Sequence, residues 1–350
     1  MSPRTRTVSV SAVLLVVLLV AAALLPVPYV ILGPGPTANT LGSIAGKPLI
    51  TITGHPTYPT DGHLQLVTID VTGGPGDPVG LLAALRAWSD PTRAVVPEGE
   101  VFPPGQSSSQ VVAQNLAQMT GSQQDATVAA LRYLGITVPS TVVVAQVVVG
   151  TPAAGRLRVG DSILRVDSTA VSSSAQVRAA VSRLRPGSSV TLQVRRAGAV
   201  RSVTLTTIPD PQSPTRAFIG VALSDRYAPP FTVRISLPDV GGPSAGLMFT
   251  LGVIDKLTAD NLTGGKFIAG TGTIDAAGTV GPIGGIQQKL VAARDAGAAV
   301  FLVPAGNCAQ AVGSVPPGLR LVRVTTLSGA VQSLTALRTG VGGVPACPAG

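Results

Sequence analysis

The longest apolar run opens the chain. Val8 to Leu25 is almost wholly apolar, and Val27 to Leu32 prolongs it. A membrane-spanning helix needs about 20 such residues, so the pattern predicts a transmembrane anchor over 8–32. Arg4 and Arg6 precede the run, and the next charged residue is Lys47. That asymmetry puts residues 1–7 in the cytoplasm and everything after the span outside it, as a single-pass protein of the cell membrane. The alternative is a cleaved signal peptide with Ala21-Ala22-Ala23 as its small-residue site.

Past this run the hydrophobic period alternates between that of strands and that of helices. In the segment 33–121, β-branched residues predict strands over Leu49–Thr53 and Leu64–Val71. Pro78–Trp88 reads as a short helix and Val95–Ser109 as a Pro- and Gly-rich loop. Gln110–Leu131 reads as a helix with Val111, Leu116, Met119, Val128 and Leu131 as its apolar positions. A compact second unit is predicted over 122–208. It has a strand at Val142–Val149, a turn through Gly150–Gly155 and a helix at Ala175–Leu184. Strands Val190–Val194 and Val203–Thr207 close it across Ala197-Gly198. Pro209–Pro214 reads as a linker. A third unit spans 215–335, with a strand at Phe231–Ile235 and helices at Ala245–Leu257 and Gly285–Gly297. Residues 336–350 form a tail. Separate strand and helix patterns within each unit make this a multidomain α+β chain.

Composition narrows the chemistry. The chain holds two histidines (His55, His63), two cysteines (Cys308, Cys347) and four lysines, Lys47, Lys256, Lys266 and Lys289. No zinc cluster or His-Glu-x-x-His motif is present, and no cofactor is expected. A Ser–His–Asp triad would have to recruit a histidine from the distant N-terminal segment. Outside the cytoplasm Cys308 and Cys347 are either a disulfide or two unpaired thiols. The net charge of +9 is concentrated in residues 125–210, with ten Arg against four Asp. With 3% aromatic residues and no recognisable module, nucleic acid is not an expected partner. The excess reads as a solvated face, or else as a surface for anions or lipids.

The chemistry lies in two short motifs. Ser244 stands in Gly241-Gly242-Pro243-Ser244-Ala245-Gly246, between a predicted strand and an apolar helix. Free N–H groups and the helix dipole there favour developing negative charge. The N–H groups of Gly242 and Ser244 are candidate oxyanion donors, since Pro243 has none. A structural alternative makes Ser244 a helix N-cap. Lys289 follows Gly281-Pro282-Ile283-Gly284-Gly285 and falls on the stripe of Ile286, Leu290 and Ala293. Burial disfavours an ammonium and lowers its pKa, which suits Lys289 as the base that takes a proton from Ser244.

These motifs, 45 residues apart, resemble the Ser–Lys dyad of the Lon protease proteolytic domain. Ala269-Gly270-Thr271-Gly272-Thr273-Ile274 resembles the stretch between them. The resemblance implies that Thr271 orients the lysine. Within 122–208, Pro152-Ala153-Ala154, Leu157–Ile163 and Arg185-Pro186-Gly187 resemble a bacterial PDZ domain, a barrel-like β-sandwich with helices. That family binds hydrophobic C-terminal peptides through a glycine-containing loop, and the resemblance assigns the loop to Tyr133-Leu134-Gly135-Ile136. A scaffold or gating role for this domain stays open. The order of anchor, PDZ and Lon-type α/β domain is similar to the YlbL-type PDZ-containing Lon-like serine peptidases of bacteria. Pro28-Tyr29-Val30, Gly33-Pro34-Gly35-Pro36 and Met119-Thr120-Gly121-Ser122-Gln123 carry the likeness into the first segment. The resemblance implies an endopeptidase acting on extracytoplasmic polypeptides, and by analogy with Lon a homo-oligomer in the form of a hexameric ring. It departs from Lon in lacking a Gly-x-x-x-x-Gly-Lys-Ser/Thr phosphate loop; Gly264-Gly265-Lys266 is not one. ATP-driven unfolding is therefore not expected. The rival expectation is a non-catalytic PDZ adaptor or chaperone on a Lon-type fold.

Overall fold

The computed structural model describes residues 3–238 and 240–348. The chain forms two compact units, residues 1–136 with 231–350 and residues 137–230. The first unit begins with α1 (Pro3–Leu24), β1 (Tyr29–Asn39), β2 (Ile50–Thr53), β3 (His63–Thr72), α2 (Leu81–Trp88), β4 (Ala94–Pro97) and α3 (Ser108–Tyr133). The second unit holds β5 (Ser140–Val147), β6 (Ser162–Val166), α4 (Ser174–Ser182), β7 (Ser189–Arg196), β8 (Ala199–Thr206), β9 (Ile208–Asp210), β10 (Ser213–Phe218) and β11 (Val221–Tyr227). The first unit resumes with β12 (Thr232–Ile235), α5 (Gly246–Leu257), β13 (Phe267–Gly270), α6 (Ile286–Asp295), β14 (Val300–Pro304), α7 (Cys308–Val312), β15 (Arg320–Val324) and α8 (Leu327–Thr339).

The anchor expected over 8–32 is corrected. Among the described residues no helix is long and apolar enough to cross a membrane. The apolar run is divided between two structures. Helix α1 stops at Leu24, just before Pro26 and Pro28, which cannot donate to a helical ladder. Tyr29 to Leu32 belong instead to β1, where Val30 is fully buried.

The central sheet of the first unit has the order β15-β14-β13-β3-β1-β4. It is parallel from β15 to β3 and antiparallel at β1 and β4. All five residues of β14, Val-Phe-Leu-Val-Pro, are buried, as expected of a parallel strand covered on both faces. This sheet also redraws the predicted domains. The segment 33–121 is not a separate body: Leu64 of β3 pairs with Ile268 of β13, and Leu66 with Gly270. Helix α3 belongs here too. It opens with a capping box in which Ser107 and Gln110 exchange side-chain and backbone bonds. Helix α5 is buried along nearly its whole length, which accounts for its lack of a polar face.

The tail is tied down. Cys308 at the start of α7 and Cys347 form a disulfide with Cα atoms 5.2 Å apart, closing 39 residues of chain. Arg323 N–H also donates to the Pro345 carbonyl at 2.8 Å. Opening such a loop releases about 2–4 kcal/mol of constraint on the unfolded chain. Thermal unfolding with and without reductant is therefore expected to show a lower Tm for the reduced protein.

In the second unit, β8-β7-β6-β5-β11 form an antiparallel sheet. Val142, Val144, Ile163, Leu192, Val194 and Leu205 fill its core with Val177 and Val181 of α4. Buried Asp161 accepts from Arg196 Nε at 2.7 Å and Nη2 at 2.6 Å, and from the Arg158 N–H at 2.9 Å. The hydrogen bonds from Arg196 hold this carboxyl below the usual range. The expected linker Pro209–Pro214 is instead part of the hairpin β9–β10, so the unit ends well beyond 208.

Candidate functional site

Ser244 lies one residue ahead of the N-cap of α5. The cap position is Ala245, which makes no side-chain cap bond, so the capping role considered for Ser244 does not apply. The Ser244 carbonyl is fixed twice, by the Gly272 N–H at 2.8 Å and by the Thr271 hydroxyl at 3.0 Å. Lys289, on the first turns of α6, is only 2% exposed. Its Nζ donates to Thr271 Oγ1 at 3.3 Å. Thr271 is itself fully buried.

These bonds assign the Thr271 hydroxyl proton and one N–H of Lys289. Thr271 spends its only hydroxyl proton on the Ser244 carbonyl, so it meets Lys289 with a lone pair. A neutral lysine amine that donates one N–H to Thr271 keeps its own lone pair free. Burial pushes the Lys289 pKa down to about 8, because a desolvated ammonium is disfavoured. Among the described residues the Ser244 hydroxyl has no hydrogen-bond partner, and Thr271 links Lys289 to the Ser244 backbone carbonyl, not to its side chain. The histidines are engaged elsewhere: His55 with the Pro56 carbonyl and the Phe231 ring, His63 with Asn39 and the Phe267 ring.

The amide assignment at the turn changes. The Gly242 N–H is occupied by the Asn115 carbonyl of α3 at 2.8 Å. An amide already donated inside the protein is not available to an oxyanion. The N–H of Ser244 donates to no described residue and remains the candidate donor, with that of Ala245 beside it. Asn115 shows why the turn begins on glycine: a Cβ at Gly241 would stand 2.8 Å from the Asn115 Cβ.

Helix α3 also supplies a residue the sequence did not single out for the site. Buried Ser122 donates to the Pro243 carbonyl at 3.0 Å. Its signals in the sequence were its place among apolar helical positions and in the Met119–Gln123 stretch, neither of which assigns it to the site, and its partner lies 121 residues away. Ser122 thus positions the turn that carries Ser244. Ser122→Ala is expected to lower kcat about fivefold with KM unchanged, since one hydrogen bond contributes ~1 kcal/mol. Steady-state kinetics beside the unfolding midpoint check this, because a purely structural role would move the midpoint alone.

The peptide loop also moves. Tyr133 is the last residue of α3, and Tyr133-Leu134-Gly135-Ile136 belongs to the first unit. Its amides close the helix end: Gly135 N–H donates to Arg132 O at 3.0 Å and Ile136 N–H to Leu131 O at 2.9 Å. They have nothing left for a carboxylate. A groove of about 300 Å³ lies elsewhere, inside the second unit, between α4 and the segment Phe218-Ile219-Gly220-Val221. Here Ile219 O accepts from Ala153 N–H at 3.0 Å and Gly220 O from Val148 N–H at 2.9 Å, while the N–H groups of Ile219 and Gly220 donate to no described residue. Buried amides are normally paired, so this pair is open to an acceptor from outside the described residues. Gly220 has φ +83°, and a Cβ there would overlap Thr151.

Comparison with known proteins finds two matched regions. The family model of the PDZ domain matches residues 116–207. That of the Lon protease (S16) C-terminal proteolytic domain matches residues 232–333. Lon protease 2 of Bacillus subtilis is 33% identical over 102 residues, covering 27% of this chain and 17% of the relative. The Lon protease of Phenylobacterium zucineum is 46% identical over 69 residues, covering 20% of this chain and 8% of the relative. The chain thus spans less than a fifth of the length of these curated relatives. A solved PDZ domain of the SdrC-like protein from Listeria monocytogenes is 24% identical, with a TM-score of 0.22, over 23% of this chain and 85% of its own. The chain thus carries a region that matches the PDZ domain and, after it, one that matches the Lon protease proteolytic domain, which holds both Ser244 and Lys289.

Proposed function

We propose that the chain is a serine endopeptidase that hydrolyses peptide bonds of unfolded or flexible polypeptides without ATP. The observation that carries this reading is Lys289, buried and bonded to the same threonine that holds the Ser244 turn. Ser244 Oγ attacks the scissile carbonyl while neutral Lys289 accepts its proton. The Ser244 N–H stabilises the oxyanion. The lysine, now an ammonium, protonates the departing amine, and water repeats the cycle on the acyl-enzyme. Thr271 keeps the amine aimed throughout.

The groove at Phe218–Val221 takes the C-terminus of a substrate or regulatory peptide. The free amides of Ile219 and Gly220 meet the carboxylate, and β11, an edge strand, pairs with the peptide. The disulfide between Cys308 and Cys347 favours work in an oxidising compartment outside the cytoplasm. A serine-directed phosphonate probe tests the enzymatic reading: it should label the intact chain and not Ser244→Ala. Absence of labelling in both, with the chain folded, would favour the adaptor reading.

A further inference from the structure

Arginines of the second unit divide into two groups. Arg196 is committed to Asp161, and Arg156 to the Thr204 carbonyl. Arg178 of α4 and Arg216 of β10 line the groove and make no ion pair or side-chain hydrogen bond with the described residues. Asp210 also lines it, and its carboxylate accepts the Gln212 N–H at 2.9 Å. Two cations against one anion leave the groove positive.

The direction of α4 places these charges along a bound peptide. Ser174, at the start of the helix, donates its N–H to Asp225 at 2.7 Å, near the far end of β11. The other end of α4, with Val181 and Ser182, therefore points toward the free amides of Ile219 and Gly220. Val177, Val181, Ile219 and Leu223 supply the apolar lining for a C-terminal side chain. Arg178 lies four residues before Ser182, about 6 Å along the helix axis. An extended peptide covers that distance in about two residues.

We propose that this groove selects peptides with Asp or Glu two residues before an apolar C-terminal residue. Arg178 reads the acidic side chain, and Arg216 adds positive charge at the carboxylate end. This selection rests on the groove being a C-terminal peptide site, as proposed above. It gives a use to part of the arginine excess, and it makes acidic C-termini the marks of a substrate or regulator.

The test is fluorescence anisotropy on the full chain carrying Ser244→Ala, so that peptides are not cut. Labelled heptapeptides end in Val with a free carboxylate and carry Glu, Gln or Lys at the third position from the end. The Glu peptide is expected to bind about three- to tenfold tighter than the Gln peptide, and the Lys peptide more weakly than either. The Glu preference should vanish in Arg178→Gln, persist in Arg178→Lys, and shrink at high salt. Equal binding of Glu and Gln peptides, with C-terminal amidation weakening both, overturns the acidic selection and leaves the peptide site standing. Binding indifferent to amidation, or no binding by any peptide, overturns both.

Discussion

Ser244→Ala is expected to lower kcat for peptide cleavage by about 10³-fold or more, with the folded structure unchanged. The hydroxyl forms no hydrogen bond to a described residue, so its removal leaves no partner stranded. The turn keeps its geometry, because the Ser244 carbonyl, not the side chain, is what Thr271 and Gly272 hold. Loss of nucleophile and retention of fold are therefore separable. Peptidase assays beside circular dichroism and thermal unfolding check both halves. Undiminished cleavage by the variant would refute the assignment of Ser244.

Lys289→Met should be comparably inactive yet more stable. The lysine sits 2% exposed, and its lowered pKa has burial as the cause. In the wild type the folded pKa of about 8 lies below the ordinary 10.5, so the unfolded chain binds more protons between those values. Stability thus rises with pH through that window, and the penalty of the buried ammonium is fully present below about pH 8. Methionine of similar length removes that penalty, which is on the order of 1–3 kcal/mol. Its Tm advantage should be largest near pH 7 and fade towards pH 10. Wild-type activity should climb with pH to a plateau, with a midpoint near 8, because only the neutral amine takes the serine proton. A flat profile from pH 6 to pH 10, or a Met variant that still cleaves peptides, would remove Lys289 from the role of base.

Much of this chemistry was legible in residue order. A lysine three residues after Ile286 and four before Ala293 shares their face of a helix, so its burial followed from period alone. The strands β5, β7 and β8 followed from β-branched runs. Errors of reading concerned partners. An apolar run broken by prolines looked like one span, but its last part pairs into a sheet. Gly135 and Gly242 looked like free amide donors, yet a helix end consumes one and Asn115 the other. Both glycines sit in plausible contexts, and a local pattern cannot count which N–H groups are already donated.

What the sequence determined by itself was therefore the placement of Ser244 and Lys289 on two elements, and the burial of Lys289. Periodicity along one chain is enough for that. Tertiary structure alone decided that 29–97 and 267–324 share one sheet, that Cys308 meets Cys347, that Ser122 holds the turn, and that the open amides lie at Ile219, Gly220 and Ser244. Each of these depends on pairing between residues remote in the chain, and hydrogen bonds are allotted only once the whole chain has packed.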